Sequence, residues 1–342
     1  MTKEITEHVA KTERHRSFYL GCGPDAETPV IFCHGWPELA QTWRRQLQAL
    51  GAKGVRTVAP DMRGYGRSSI HPSKDDYRIE EIVRDMIELL DHLDTAKAIW
   101  VGHDLGAPVV WSIAQHFPER CAGVVGVCVP YMPMGLTLEA LVDTVDREIY
   151  PKDQYLNGQW DYIAFYQDNF DLATKAFDAD PTSTVHALFR SGDASGVGRP
   201  AFTATTRERG GWFGPNGAPA PRFPLDTAVL SEDEAQVYID ALTRNGFTAP
   251  DSWYMNLEAN AMYADKAKAS WRLEMPVLFV HAAYDVVCAT DNPKLTAAMR
   301  EHCSDLTEAT IPSGHWVAQE QPEALNSILT DWLQATFPAT FS

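Results

Sequence analysis

The pentapeptide Gly102-His103-Asp104-Leu105-Gly106 follows an apolar run and opens a helical pattern. Its G-x-X-x-G spacing predicts a sharp strand-to-helix turn with the central side chain exposed at the tip. Glycines flank that residue because a Cβ would collide where strand and helix pack closely. The central residue is an aspartate, which is already ionised at neutral pH. Such a carboxylate needs no base to activate it and can attack an electrophilic carbon directly, forming an ester. The same aspartate could instead cap the following helix, and the pentapeptide alone leaves both readings open. A second acid, Asp285, comes just after the apolar run Pro276-Val277-Leu278-Phe279-Val280. That is the strand end at which open α/β sheets carry functional residues. His315 sits in Ile311-Pro312-Ser313-Gly314-His315-Trp316, a loop before the last helical pattern. Nucleophile, acid and histidine in this order suit a base, His315, oriented by Asp285. A serine esterase is excluded at the elbow, where serine would be required.

These residues need a scaffold that brings strand ends together, and the chain has the pattern for one. Pro29 to Cys33, Arg56 to Pro60, Ala98 to Val101, Val124 to Val129 and Pro276 to Val280 read as buried strands. Apolar residues from Ile79 to Leu93 recur at helical spacing and predict a helix over 79–93. Helices are also predicted over Ala107 to His116 and Pro322 to Thr336. Strands alternating with helices imply a mostly parallel sheet flanked by helices, an α/β class. Between about Tyr131 and Asp265 the rhythm changes to helical patterns with almost no β-branched runs. The aromatic-rich stretch Trp160 to Phe170 and a helix opened by the capping box Ser231-x-x-Glu234 lie there. The Gly/Pro/Ala-rich residues 210–224 read as a mobile loop. The expected organisation is a core of 1–132 and 265–342 interrupted by a helical cap, 133–264.

Composition narrows the partners. The 342 residues carry a net charge of −17, which disfavours nucleic acid and anionic membrane surfaces. No uncharged apolar run approaches the roughly 18 residues of a membrane span, and the charged residues from Met1 to Arg16 do not read as a signal peptide. The six cysteines form no C-x-x-C pair or zinc-like spacing and read as small buried hydrophobes of a reducing compartment. The expectation is a cytoplasmic protein, monomer or homodimer, with no metal and no cofactor.

On His34-Gly35-Trp36-Pro37, Asp61-Met62-Arg63-Gly64-Tyr65-Gly66-Arg67-Ser68, the elbow pentapeptide and Gly314-His315-Trp316, the chain resembles the epoxide hydrolases of the α/β-hydrolase fold, soluble type. The likeness runs over nearly the whole chain after about residue 16. It implies an α/β-hydrolase fold with an inserted helical cap. It also implies that Asp104 attacks an epoxide carbon, that His315 activates water and that Asp285 orients His315. The backbone N–H groups of Trp36 and Leu105 would form the oxyanion hole. From the cap, Tyr162 in Trp160 to Gln167 and Tyr254 in Ser252 to Asn256 match the tyrosines that stabilise the departing oxygen, with Tyr166 the competing choice. The substrate would be a small hydrophobic epoxide, hydrolysed to a diol, against Trp36, Leu105, Tyr162, Tyr254 and Trp316.

The chain departs from the pattern in one respect. Many relatives have tryptophan after the nucleophile; Leu105 keeps the backbone donor but changes a pocket wall. His103 adjoins Asp104 in sequence, which points its ring away and predicts a structural role. The rival reading is a haloalkane or haloacid dehalogenase with the same Asp-His-Asp set. That chemistry calls for a tryptophan or arginine beside the nucleophile, and Leu105 is neither. A non-catalytic binding protein would be expected to lack a member of the set, and none is lacking.

Overall fold

The computed structural model describes residues 4–267 and 271–341. Eight strands form one sheet: β1 (Thr6–Lys11), β2 (Arg16–Cys22), β3 (Val30–Cys33), β4 (Thr57–Pro60), β5 (Ala98–His103), β6 (Cys121–Val127), β7 (Leu273–Ala282) and β8 (Cys303–Ile311). Their spatial order is β1-β2-β4-β3-β5-β6-β7-β8. The pairs β1/β2 and β2/β4 are antiparallel and every other pair is parallel. This is the mostly parallel, helix-flanked sheet expected. β3, β4 and β5 are buried along their full lengths, as central parallel strands covered on both faces must be. That is why they read as unbroken apolar runs.

The helix read over 79–93 spans Ile79–His92 and buries Ile82, Val83, Met86, Leu89 and Leu90, one stripe of a 3.6-residue period. The elbow helix is Gly106–His116 and the last long helix is Pro322–Thr336. Both halves of the capping box at Ser231 are formed, opening the helix Glu232–Asn245. Between β6 and β7 there is no strand among the described residues; helices such as Asp161–Asp178, Pro181–Leu188 and Leu257–Asp265 fill the interval. Residues 210–224 form neither helix nor strand, yet Trp212 and Ala220 within them are buried.

Three strands escaped the sequence reading. β1 is exposed at every residue but Ala10, and β8 is polar along most of its length. Both lie at the sheet edges, where side chains meet water and leave no apolar run to read. β2 is buried but interrupted by Ser17 and Gly21.

Register positions the chemistry. Cys33 at the end of β3 is level with Gly102 of β5, and His103 is level with Val127 of β6. Val127 is level with Val280, and Ala282 with Ile311. The segments after β3, β5, β7 and β8 therefore leave the same carboxyl edge of the sheet, where α/β proteins place ligands. The loop after β4 is anchored by Arg63, whose guanidinium donates to both oxygens of Asp85 at 2.6 and 2.8 Å. Both side chains are buried, and Arg14 adds a second pairing to Asp85. The Arg63 carbonyl in turn accepts the Trp253 indole N–H at 3.1 Å. Asp85→Ala leaves a buried guanidinium without its main anion and is expected to lower the unfolding free energy by about 3–5 kcal/mol. Urea denaturation measures this; a loss below about 1 kcal/mol would mean that the pair anchors nothing.

Candidate active site

At the elbow Asp104 has φ +48°, a left-handed conformation that lifts its side chain out of the strand-to-helix turn. A Cβ on Gly102 would strike the Gly106 carbonyl, and one on Gly106 would strike the Cys33 carbonyl. The two glycines thus let helix, elbow and β3 close on one another. Asp104 is not a helix cap: Leu105 occupies that position, without a side-chain bond. The Asp104 carboxylate is engaged elsewhere. Its Oδ1 accepts the Trp36 backbone N–H at 2.7 Å, and its Oδ2 lies 3.3 Å from His315 Nε2.

His315 Nδ1 is 2.6 Å from Asp285 Oδ2, and Asp285 Oδ1 accepts the backbone N–H groups of Val287 and Cys288 at 3.0 and 2.9 Å. The three residues drawn from three strand ends therefore form one connected chain. Two further groups brace the loop of His315. Glu320 accepts the N–H of Gly314 at 2.8 Å and of Gly192 at 3.1 Å, and the Trp316 indole donates to the Leu188 carbonyl at 2.7 Å. His103 is fully buried. Its ring meets Glu38 at 2.8 Å and the His315 carbonyl at 2.8 Å, which fits the structural role expected of it. Glu38 also accepts the Gly35 N–H at 2.9 Å, so it ties the loop after β3 to the elbow.

Electrostatics follow from these contacts. Burial alone would raise the Asp104 carboxyl, but the hydrogen bond and charge of His315 bring it below the usual range. Asp285 is lowered in the same way: burial opposes, and the charge and hydrogen bond of His315 prevail. Burial would depress His315, but the two carboxylates raise it well above an ordinary imidazole. The two carboxylates thus favour the imidazolium form of His315 in the resting site.

Two cavities meet at Asp104. The narrower, of about 80 Å³, is lined by Leu105, Pro108, Ser112 and Gln115 from one face of the elbow helix. The wider, of about 420 Å³, includes Trp36, Arg190, Trp212, His315 and Trp316. Tyr162, from the helix Asp161–Asp178, and Tyr254, from the short helix Trp253–Met255, line both cavities. Their rings meet edge to face, with centroids 5.7 Å apart. Burial pushes both phenols well above their ordinary value, so they stay protonated donors. Tyr166 lies one turn from Tyr162 on the same helix, is fully buried, and donates its hydroxyl to Asp251 at 3.0 Å. Leu105 lines the narrower cavity, and Trp36 and Trp316 the wider one.

Trp212 was missed. Its ring stacks on Trp36 at 5.8 Å and meets Tyr162 at 5.3 Å. It comes from the Gly-rich loop, where the only signal was an isolated tryptophan after Gly210-Gly211. Cys128 and Cys288 were read as plain core residues, yet each brings a thiol within 4.8 Å of a His315-containing group of metal-ligand types. Burial lifts both thiols well above their ordinary range, which disfavours the thiolate a metal requires. No helix of the described residues is long and apolar enough to cross a membrane.

Comparison with known proteins adds to this geometry. A family model described as the alpha/beta hydrolase fold matches residues 28–175. The bifunctional epoxide hydrolase 2 of Sus scrofa is 31% identical over 92% of the chain and 52% of its own length. The chain thus spans about half the length of that relative. Epoxide hydrolase A of Mycobacterium tuberculosis is 30% identical, over 96% of the chain and 97% of its own length. The crystal structure of epoxide hydrolase A from Mycobacterium thermoresistibile superposes with a TM-score of 0.77 at 30% identity, covering 97% of this chain and 98% of that one.

Proposed function

Because the chain belongs to the epoxide hydrolases of the α/β-hydrolase fold, we propose that it hydrolyses epoxides to vicinal diols through an ester on Asp104. The observation that carries this reading is one carboxylate, Asp104, bordered by the Trp36 N–H, His315 and two cavity-lining phenols. Residues 133–264 serve as the cap over a core of 1–132 and 265–342. Six buried cysteines, none in a disulfide, suit a cytoplasmic setting.

In the first step Tyr162 and Tyr254 hydrogen-bond the epoxide oxygen. Asp104 Oδ2 attacks one ring carbon from the opposite side; the C–O bond breaks and a phenol proton passes to the departing alkoxide. Asp104 Oδ1 stays on the Trp36 N–H, where it becomes the ester carbonyl oxygen. Esterification also removes one of the two charges that hold the imidazolium. His315 can then lose its proton, which restores the phenol spent in the first step, and serve as base, still oriented by Asp285. It deprotonates a water that adds to the ester carbonyl, and the oxyanion takes the N–H groups of Trp36 and Leu105. Collapse releases the diol and regenerates the carboxylate. Cleavage of a carbon–halogen bond would leave both phenols idle, and the Trp36 indole N–H, a halide donor in principle, is already given to Asp251 at 2.8 Å.

A single turnover of an aryl epoxide in heavy-oxygen water tests the route. The label is expected in the Asp104 peptide and absent from the first diol, because the diol keeps the oxygen of Asp104. Label in that first diol would mean direct attack by water and would end the covalent reading.

A further inference from the structure

We propose that Asp251 is a positioning residue for both steps, holding the Trp36 indole directly and the Tyr254 ring through Tyr166. The inference rests on the covalent route above. Asp251 lies in the short helix Thr248–Ser252 and is fully buried. Its Oδ1 accepts the Trp36 indole N–H at 2.8 Å and the Tyr166 hydroxyl at 3.0 Å, and its Oδ2 accepts the Thr174 hydroxyl at 2.9 Å. One carboxyl therefore ties the loop after β3 to the helix Asp161–Asp178. The ties to Trp36 and Tyr166 each lead to a reacting group. The backbone N–H of Trp36 holds Asp104 Oδ1, and the Trp36 ring lies edge-on to Tyr254 at 6.2 Å. Tyr166 stacks on Tyr254 with centroids 4.6 Å apart and planes within 9°.

The three donors fit an ionised acceptor. A carboxylate offers only lone pairs, and charge-assisted bonds are stronger than neutral ones. A protonated Asp251 would have to turn the Thr174 bond round and donate to it, and its bonds from Trp36 and Tyr166 would become the weaker neutral kind. Burial raises this carboxyl to about 7, against the pull of the Trp36, Thr174 and Tyr166 bonds and with a smaller push from Asp178. The titratable groups facing it are Tyr166 and Asp178 from the helix Asp161–Asp178 and Tyr65 from the loop after β4. The short helix Lys74–Tyr77 also packs on Thr248–Ser252, but its groups are engaged elsewhere. Lys74 lies over the Phe170 ring, Asp75 pairs with Arg78, Asp76 accepts the Ser73 N–H and Tyr77 bonds the His71 backbone.

The same geometry sets a thermodynamic sign. A carboxyl raised in the folded state binds its proton more tightly folded than unfolded, so stability falls as pH rises from the ordinary carboxylate range through 7. An amide of the same shape avoids that loss. Asp251→Asn keeps an acceptor for Trp36 and Tyr166 and can donate to Thr174, so it is expected to fold and to melt at least as high as wild type above pH 7.

The test follows ester formation from an aryl epoxide in single turnovers on both sides of pH 7, together with the ¹⁵N-indole resonance of Trp36, assigned with Trp36→Phe. In wild type the ester-forming rate is expected to rise roughly fivefold to tenfold through pH 7, and the Trp36 resonance to move with the same midpoint. In Asp251→Asn the rate should stay at the acid-side value of wild type and the resonance should stand still. Equal rates in the two proteins at every pH, or a Trp36 indole resonance that Asp251→Asn leaves unmoved, would overturn the proposal. Should wild type form no ester at all, the covalent route fails, while the change of the indole resonance on Asp251→Asn still decides whether Asp251 holds Trp36.

Discussion

His315→Gln is expected to convert the protein into an ester trap. Incubated with an aryl epoxide, it should accumulate at the mass of protein plus substrate, with steady-state turnover lowered roughly 10²–10⁴-fold, the usual contribution of a positioned base. Ester formation survives because a carboxylate needs no base to attack: the Asp104 Oδ1 remains on the Trp36 N–H, and the glutamine amide can still donate to Oδ2 in place of the imidazolium. What fails is the second step. The water must lose a proton, and glutamine cannot accept one. The wild-type pH dependence has the matching sign. Asp285 and Asp104 hold His315 well above an ordinary imidazole, and only its neutral form is a base. Hydrolysis of the ester should therefore rise with pH, and from a lower midpoint than that of the resting imidazolium, since the ester has lost the charge of Asp104. Intact-protein mass spectrometry decides the matter: only unmodified His315→Gln during slow turnover would falsify the two-step route.

The parts of this site that were legible in the sequence are those fixed by local sterics and by the sheet. Gly102 and Gly106 can be read because backbone lies where their Cβ atoms would be. The helix-cap reading of Asp104 is set aside only by φ +48°, by the bond from Trp36 and by Leu105 taking the cap position. Asp285 and His315 were legible because a parallel sheet delivers its strand ends to one edge, so chain order alone brings them together. Asp251 was not, since its partner Trp36 is 215 residues away and no local spacing encodes that distance. Glu38 was equally hidden, with its partner His103 on another strand end. Tyr162 and Tyr166 share a helix and stand one turn apart, so periodicity places them on the same face. They part company only because Asp251 takes the Tyr166 hydroxyl while Tyr162 stays on the cavities.

That division of labour among the tyrosines gives the second large effect. Tyr162→Phe and Tyr254→Phe are each expected to slow ester formation roughly 10²–10³-fold, by analogy with removal of one donor from a developing oxyanion. The double variant should lose about 10³–10⁵-fold, less than the full product because the phenols act on one oxygen. An alkoxide is a poor leaving group and must be hydrogen-bonded or protonated as the ring opens. Burial keeps both phenols protonated and brings their acidity closer to that of the alkoxide, where proton transfer in the transition state is most effective. Phenylalanine keeps the edge-to-face contact of the two rings, so the fold should hold and unfolding curves should match wild type. The rate is best read in the His315→Gln background, where ester formation is isolated from hydrolysis. An unimpaired double variant would remove the phenols from the mechanism. If it also released halide from a haloalkane as fast as wild type, the leaving group would be one that needs no proton, and the site would belong to carbon–halogen cleavage instead.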